Sequence, residues 1–411
     1  MPADLISRRD FQVISVIGVV HLLSHAYQFT LAPLFPVMAL EPNMGGLGVS
    51  YSELGLLASL FFASSGLCQT PAGFVVDKIG PQPVLIAGLG LLSAAVFLYS
   101  VVPSYGSLIV LSILAGIGNS VFHPADYSLI NGAVSENLLG SAYGVHSIGG
   151  YIGFALAPAM LPLTENLIGW RGAVAVAGLI GIIVTIFLFF WKPDLRVGET
   201  QAPTIKKKDD QSIRSSIAVL LQPTILLGFL FFFILAMGLI GFKTMGPTAL
   251  HEGWQLSIAF SGNAIASFSV AAVIGIAIGG VWADNSDNHH RNATWTFVIS
   301  GSFIVMIPWV PANPTMLIGI LIVSGCSFGI ALPNRDLFIR SLTPKGASGR
   351  VFGFVYCGLD VGASLTPFFF GVLMDLGKPE LVIIVAGCLM FLAAVIIFLT
   401  ESIARRVLGK S

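Results

Sequence analysis

The chain of 411 residues is 55% hydrophobic and only 10% charged, and its mean hydropathy is +0.89. A soluble domain carries about 25% charged residues, so the composition excludes one and indicates a polytopic membrane protein embedded in the lipid bilayer. Basic and acidic residues balance at 20 each, and the net charge points to no charged partner such as nucleic acid.

Twelve apolar runs are long enough to cross a hydrocarbon core; they are predicted near 11–37, 54–76, 83–102, 106–131, 139–163, 172–191, 223–249, 256–283, 293–311, 315–339, 351–374 and 381–400. The first run is too long for a cleavable signal peptide and lacks a small-residue cleavage site, so it is expected to remain as a helix. With the N-terminus inside, 16 of the 20 Lys and Arg residues fall on cytoplasmic segments. The outer side keeps Arg171, Lys378 and Lys243 near a helix end, while Arg335 lies within a span. This asymmetry predicts cytoplasmic termini.

A polar linker at 192–216, with Pro193, Pro203 and the run Lys206-Lys207-Lys208-Asp209-Asp210, divides the chain into six-span halves at 1–191 and 217–411. Its basic run is read as a tether near anionic lipid heads. No other loop could hold a soluble motor domain, and no G-x-x-x-x-G-K-[ST] motif occurs, so energy must come from an ion or solute gradient. Cys68, Cys326, Cys357 and Cys388 all fall inside spans and are read as buried small apolar residues.

The halves carry an internal repeat. Gly116, Pro124, Gly140, Gly144, Gly149, Gly153 and Pro158 superpose without a gap on Gly325, Pro333, Gly349, Gly353, Gly358, Gly362 and Pro367, at a constant offset of 209 residues. Gly and Pro are costly in helices, so their coincidence is more telling than matching Leu or Val. A duplicated helical membrane chain points to a transporter with its site expected between the halves, at the membrane midplane.

Titratable residues away from span ends are confined to span 1 (His21, His25), span 4 (His123, Asp126), span 5 (His146), span 10 (Arg335, Asp336) and span 11 (Asp360). Burying them against lipid would cost several kcal/mol each. These spans are expected to face a polar cavity, and spans 3, 6, 9 and 12 the lipid. The Phe231-Phe232-Phe233 run is read as lipid-facing and packing surface.

Between spans 2 and 3 stands Gly73-Phe74-Val75-Val76-Asp77-Lys78-Ile79-Gly80, echoed between spans 8 and 9 by Gly280 to Asp284. With twelve spans, a 6+6 division and a basic central loop, the chain resembles the major facilitator superfamily over its whole length. Phe122-His123-Pro124 and the glycine-rich span 5 are similar to the fosmidomycin-resistance-like group of bacterial carriers. The resemblance implies an all-α fold of two pseudo-symmetric six-helix lobes in the bacterial inner membrane, working as a monomer. It also implies that Gly73, Asp77, Lys78 and Gly80, with Gly280 and Asp284, form a cytoplasmic gate. Physically, Gly73 would let a neighbouring helix approach, and Asp77 would cap or pair with it.

The remaining candidates are read from their chemistry. His21, His25 and Gln28 share one stripe of an apolar helix, which suggests a cavity wall binding an anionic group. Pro124 should bend span 4 beside His123 and Asp126, a candidate proton site. His146 and Tyr151 are placed on the wall from span 5. Asp126 aligns with Arg335 under the repeat. Arg335 is read either as a gate residue, pairing with Asp126 and flanked by Asp336, or as the ligand of a substrate carboxylate or phosphonate. Tyr356 lies one turn before Asp360, whose charge is costly at mid-span and which is therefore a proton-coupling candidate. No cofactor is expected. His21 and His25 alone do not make a metal site.

The expected function is secondary transport of a small, anionic organic solute coupled to protons, sodium not being excluded. The alternatives are drug or toxic-metabolite efflux by proton antiport and, in another class, a non-transporting receptor with a transporter fold. An enzyme is not expected, since no nucleophile motif or metal-ligand set is visible.

Overall fold

The computed structural model of the protein describes residues 7–191, 219–311, 313–343 and 348–408; the basic linker run lies outside the described residues. The described residues are nearly all helical and contain no strand. The helices are α1 (Arg8–Gln28), the short α2 (Phe35–Ala39), α3 (Tyr51–Ile79), α4 (Pro81–Leu98), α5 (Tyr105–Asn119), α6 (Phe122–Ala133), α7 (Leu139–Trp191), α8 (Pro223–Trp254), α9 (Ile258–Asp284), α10 (His289–Met306), α11 (Pro314–Leu342), α12 (Ser348–Asp375) and α13 (Pro379–Leu408).

Among the described residues, ten segments are long and apolar enough to cross a membrane. One of them, containing α7, is divided by Gly169, whose φ of 72° bends the helix into two spans. The helix α10, which opens on His289, His290 and Arg291 and covers most of the run predicted near 293–311, is not among the ten. Span 4 is built from α5 and α6, with the break at Ser120 and Val121. Pro124 has no N–H to offer the Ser120 carbonyl one turn back, and its ring crowds that carbonyl, so the helix parts there. The repeat-equivalent Pro333 sits inside the unbroken α11.

The chain forms two compact units, Met1–Val49 with Leu56–Lys206 and Ser50–Gly55 with Lys207–Ser411. Within each unit the repeated glycines do the same work. In the first, a Cβ on Gly116 would strike the Phe61 carbonyl; in the second, one on Gly325 would strike that of Phe268. Gly149 and Gly153 bring α7 against the Gly18 and Leu22 carbonyls of α1, while Gly358 and Gly362 bring α12 against the Phe229 and Phe233 carbonyls of α8. Small residues at such crossings let backbones approach where lipid gives no hydrophobic drive to pack. The duplication seen in sequence is thus a duplication of helix contacts.

The first turn of α3 belongs with the second unit. Asp375, the last residue of α12, accepts the Tyr51 and Ser52 backbone N–H groups at 2.7 and 2.9 Å, and the Tyr51 hydroxyl donates to Glu252 at 2.6 Å. A carboxylate there satisfies orphan donors and complements the helix dipole. In the first unit, Asp10 of α1 accepts the Ser135 N–H and hydroxyl, and Arg171 donates to the Ser100 and Val102 carbonyls beyond the end of α4.

Three expectations are corrected here. Phe231 and Phe232 serve as packing surface, as expected, but are fully buried rather than lipid-facing, because α8 turns that face toward α10 and α12. None of the four cysteines is buried: Cys68 and Cys326 are half-buried, and Cys357 and Cys388 are exposed. Lys243 is buried three turns before the end of α8, which runs on to Trp254, rather than lying near a helix end.

Candidate functional site

The first unit gathers four of the seven histidines around one carboxylate. His21 and His25 lie one turn apart on α1, with ring centroids 4.3 Å from each other. The α7 backbone comes close enough to reach them because Gly149 and Gly153 lack side chains. Gly150, between those two, lies against both rings, and a Cβ there would sit 3.1 Å from His21 Cδ2 and Nε2 and from His25 Cε1. One turn earlier on α7, His146 stacks on His21 with centroids 3.6 Å apart. On α6, just past the break, His123 stands 5.5 Å from the His21 ring, and Asp126 follows one turn later.

Asp126 is wholly buried. Its Oδ2 lies 3.0 Å from His21 Nδ1 and 3.3 Å from His146 Nε2. Its Oδ1, the His123 Nδ1 and the His146 Nε2 are buried without a hydrogen-bond partner. One ring nitrogen from each of His21, His123 and His146 lies within 4.8 Å of the other two, a ligand set absent from the sequence reading. Nearby, Ser24 donates to Asn119, which donates to Ser65, tying α1, α5 and α3 together through a polar link that sequence reasoning missed. Asn119, the last residue of α5 before the break, is its only sequence signal.

The structure separates two predicted members from this group. Gln28, at the end of α1, faces a small cavity with Leu57, Phe61, Tyr99 and Ser112. Tyr151 packs edge-on against Phe154, which in turn stands 4.3 Å from His25.

In the second unit, Arg335 is buried in α11. Its Nε donates to Asp336 Oδ1 at 2.9 Å, and Tyr356 on α12 donates its hydroxyl to the same oxygen at 3.0 Å. The guanidinium lies over the Phe232 ring, 4.8 Å from its centroid, and Tyr356 packs on that ring's neighbourhood at 4.6 Å. One acid, one hydroxyl and one aromatic ring therefore fix the cation's orientation. Asp360, one turn beyond Tyr356, is half-buried and makes no hydrogen bond or ion pair with a described residue.

The loop motif is used differently from the expectation. Nothing lies within 4 Å of a Cβ on Gly73 or Gly280, so neither is a close-approach glycine here. Asp77, Lys78 and Asp284 are exposed and make no hydrogen bond or ion pair with described residues. Gly80 does have a structural duty. Its φ of 91° makes the turn from α3 into α4, a conformation side-chain-bearing residues rarely adopt. Asp375, which does cap a helix, was missed; its signal is an acid at a helix end followed by Gly377, whose φ is positive.

The sequence profile described as Major Facilitator Superfamily matches residues 17–261 and 229–409. The chain belongs to the major facilitator superfamily. This superfamily member is a multi-pass membrane transporter, not an enzyme. It is 23% identical over 406 residues to the fosmidomycin resistance protein of Escherichia coli, covering 96% of this chain and 94% of that protein. It is 24% identical over 400 residues to the "probable sulfoacetate transporter" of Cupriavidus necator, covering 93% and 91%. In fold it matches the crystal structure of a bacterial homologue of the human lysosomal transporter Spinster, with a TM-score of 0.77 at 14% identity over 97% of this chain and 98% of that one.

Proposed function

We propose that this transporter moves a small anionic organic solute by alternating access, coupled to protons. The observation that carries the reading is the buried guanidinium of Arg335. A cation inside a membrane-spanning helix is costly and is kept for a task. Its planar fork suits a carboxylate, sulfonate or phosphonate, and Asp336, Tyr356 and Phe232 hold it in one orientation. The full-length relative named for sulfoacetate, an organic anion, supports the same class.

The proton role falls to Asp360. It is half-buried, stands two turns from Gly353 on α12 and has no cation bonded to it among described residues. Asp126 is less suited, because the His21 imidazole already bonds its Oδ2 and His146 Nε2 stands 3.3 Å from the same oxygen. Asp77 and Asp284, exposed here, are assigned to a gate contact made in another state of the cycle. The N- and C-termini are assigned to the cytoplasmic side of an inner membrane, following the distribution of Lys and Arg.

The test is ligand-dependent thermal stability of the purified protein against carboxylates, sulfonates, phosphonates and neutral solutes. Stabilisation by one anionic class, lost in Arg335→Lys, supports the assignment. Stabilisation by neutral solutes alone, unchanged in that variant, overturns it. The second reading is export of a toxic compound, favoured by the full-length likeness to the fosmidomycin resistance protein. A resistance phenotype on expression, without solute uptake, would select it.

A further inference from the structure

We infer that His21, His123 and His146 form a binding site for one divalent transition-metal ion of the zinc type. The inference rests on the geometry of the first unit alone and is independent of the transport reading. The three rings come from α1, α6 and α7, so the set is made by the fold and has no sequence motif. One nitrogen of each lies within 4.8 Å of the others. In a tetrahedral zinc site with Zn–N bonds of 2.0–2.1 Å, neighbouring ligand atoms are about 3.3 Å apart. Side-chain rotation from the stacked arrangement of His21 and His146 would be needed to bring the set to that spacing.

Two further observations point to an ion. Asp126 lies 3.0 Å from a His21 nitrogen and 3.3 Å from a His146 nitrogen. A carboxylate bonded to one ligand imidazole and lying beside another helps fix their orientation and sets a negative charge beside the metal. The Nδ1 of His123 and the Oδ1 of Asp126 are buried with no hydrogen-bond partner, a state that native proteins seldom keep at no purpose. Three imidazoles leave a fourth position for water or an exchangeable anion, the arrangement of open zinc sites rather than closed structural ones. Gly150 leaves room for the rings to turn, since any side chain there would press on His21 and His25.

The test uses the full chain, purified through a tag without histidines and stripped by a chelator, then titrated with zinc and with cobalt. The expected result is one zinc ion per chain, a zinc-dependent rise in melting temperature and the visible absorption of tetrahedral cobalt. Removing an orienting partner of a zinc ligand costs 10–100-fold in affinity, so His21→Gln, His123→Gln and His146→Gln should each weaken zinc by more than about 100-fold. His290→Gln, in the other unit, should leave it unchanged. Failure of the native protein to bind zinc saturably, or to give the cobalt absorption, overturns the site without needing any variant to fold. So does zinc binding that survives the three substitutions or vanishes with His290→Gln. Such a result would leave the anion-stabilisation test of Arg335 untouched.

Discussion

His21 and Asp126, 105 residues apart in the chain, meet through Nδ1 and Oδ2 at 3.0 Å inside the first unit. The bond joins α1 to α6 at the point where span 4 has just been broken by Pro124. His146 reaches the same oxygen from α7, so one carboxylate organises three helices.

Removing that carboxylate should therefore destabilise the first unit. In Asp126→Ala, the His21 imidazole loses its buried acceptor and His146 loses the carboxylate beside it, at a cost of about 1–3 kcal/mol. The expected outcome is a lower melting temperature of the purified protein, with Asp126→Asn falling between the two. An unchanged melting temperature in Asp126→Ala would show that the carboxylate organises nothing.

The repeated glycines allow a matched comparison. Gly153→Ala drives a Cβ into the Leu22 carbonyl, and Gly362→Ala drives one into that of Phe233. Each should cost about 1–3 kcal/mol through overpacking. Gly144→Ala and Gly353→Ala, in the same helices, meet nothing within 4 Å and should be neutral or slightly stabilising. Melting curves of the four variants read the contrast directly.

Asp375 caps α3 through two backbone N–H groups. Replacing it with Ala should cost about 1 kcal/mol, and Asp375→Asn less, since an amide oxygen can still accept one bond. Faster amide exchange at Tyr51 and Ser52 in both variants, largest in the alanine one, is the expected signature. Equal exchange in all three proteins would deny the cap.

Arg335→Lys keeps the charge but loses the planar fork held by Asp336 and stacked over Phe232. A lost charge-assisted hydrogen bond should weaken solute binding on the order of 10- to 100-fold, and Arg335→Ala should weaken it further. Titration calorimetry with the stabilising anion checks the order.

Much of the architecture was legible because its signals are local. Twelve apolar runs, the Pro124 break and the 209-residue repeat are all written in residue types whose backbone consequences are short-ranged. Asp126, His21, His123 and His146 were each visible as polar residues in apolar spans. Their meeting was not, because helical periodicity says which face a residue lies on but not which helix that face meets. Phe232 was misread for the same reason: a Phe run in a span looks alike whether lipid or Arg335 lies beside it. At Gly73 the expected close approach of a neighbouring helix is absent among the described residues, since a loop motif does not state whether its partner is engaged. Lys243 was misplaced by helix length, because α8 continues to Trp254 beyond the apolar window.

The central claim is proton-coupled movement of an organic anion, and proteoliposomes enclosing a pH-sensitive dye test it most directly. Adding the anion that stabilises the purified protein should change internal pH in native vesicles and leave it unchanged in Asp360→Asn vesicles that still bind the anion. Uptake of the anion with no pH change in either, or an equal pH change in both, would contradict the account.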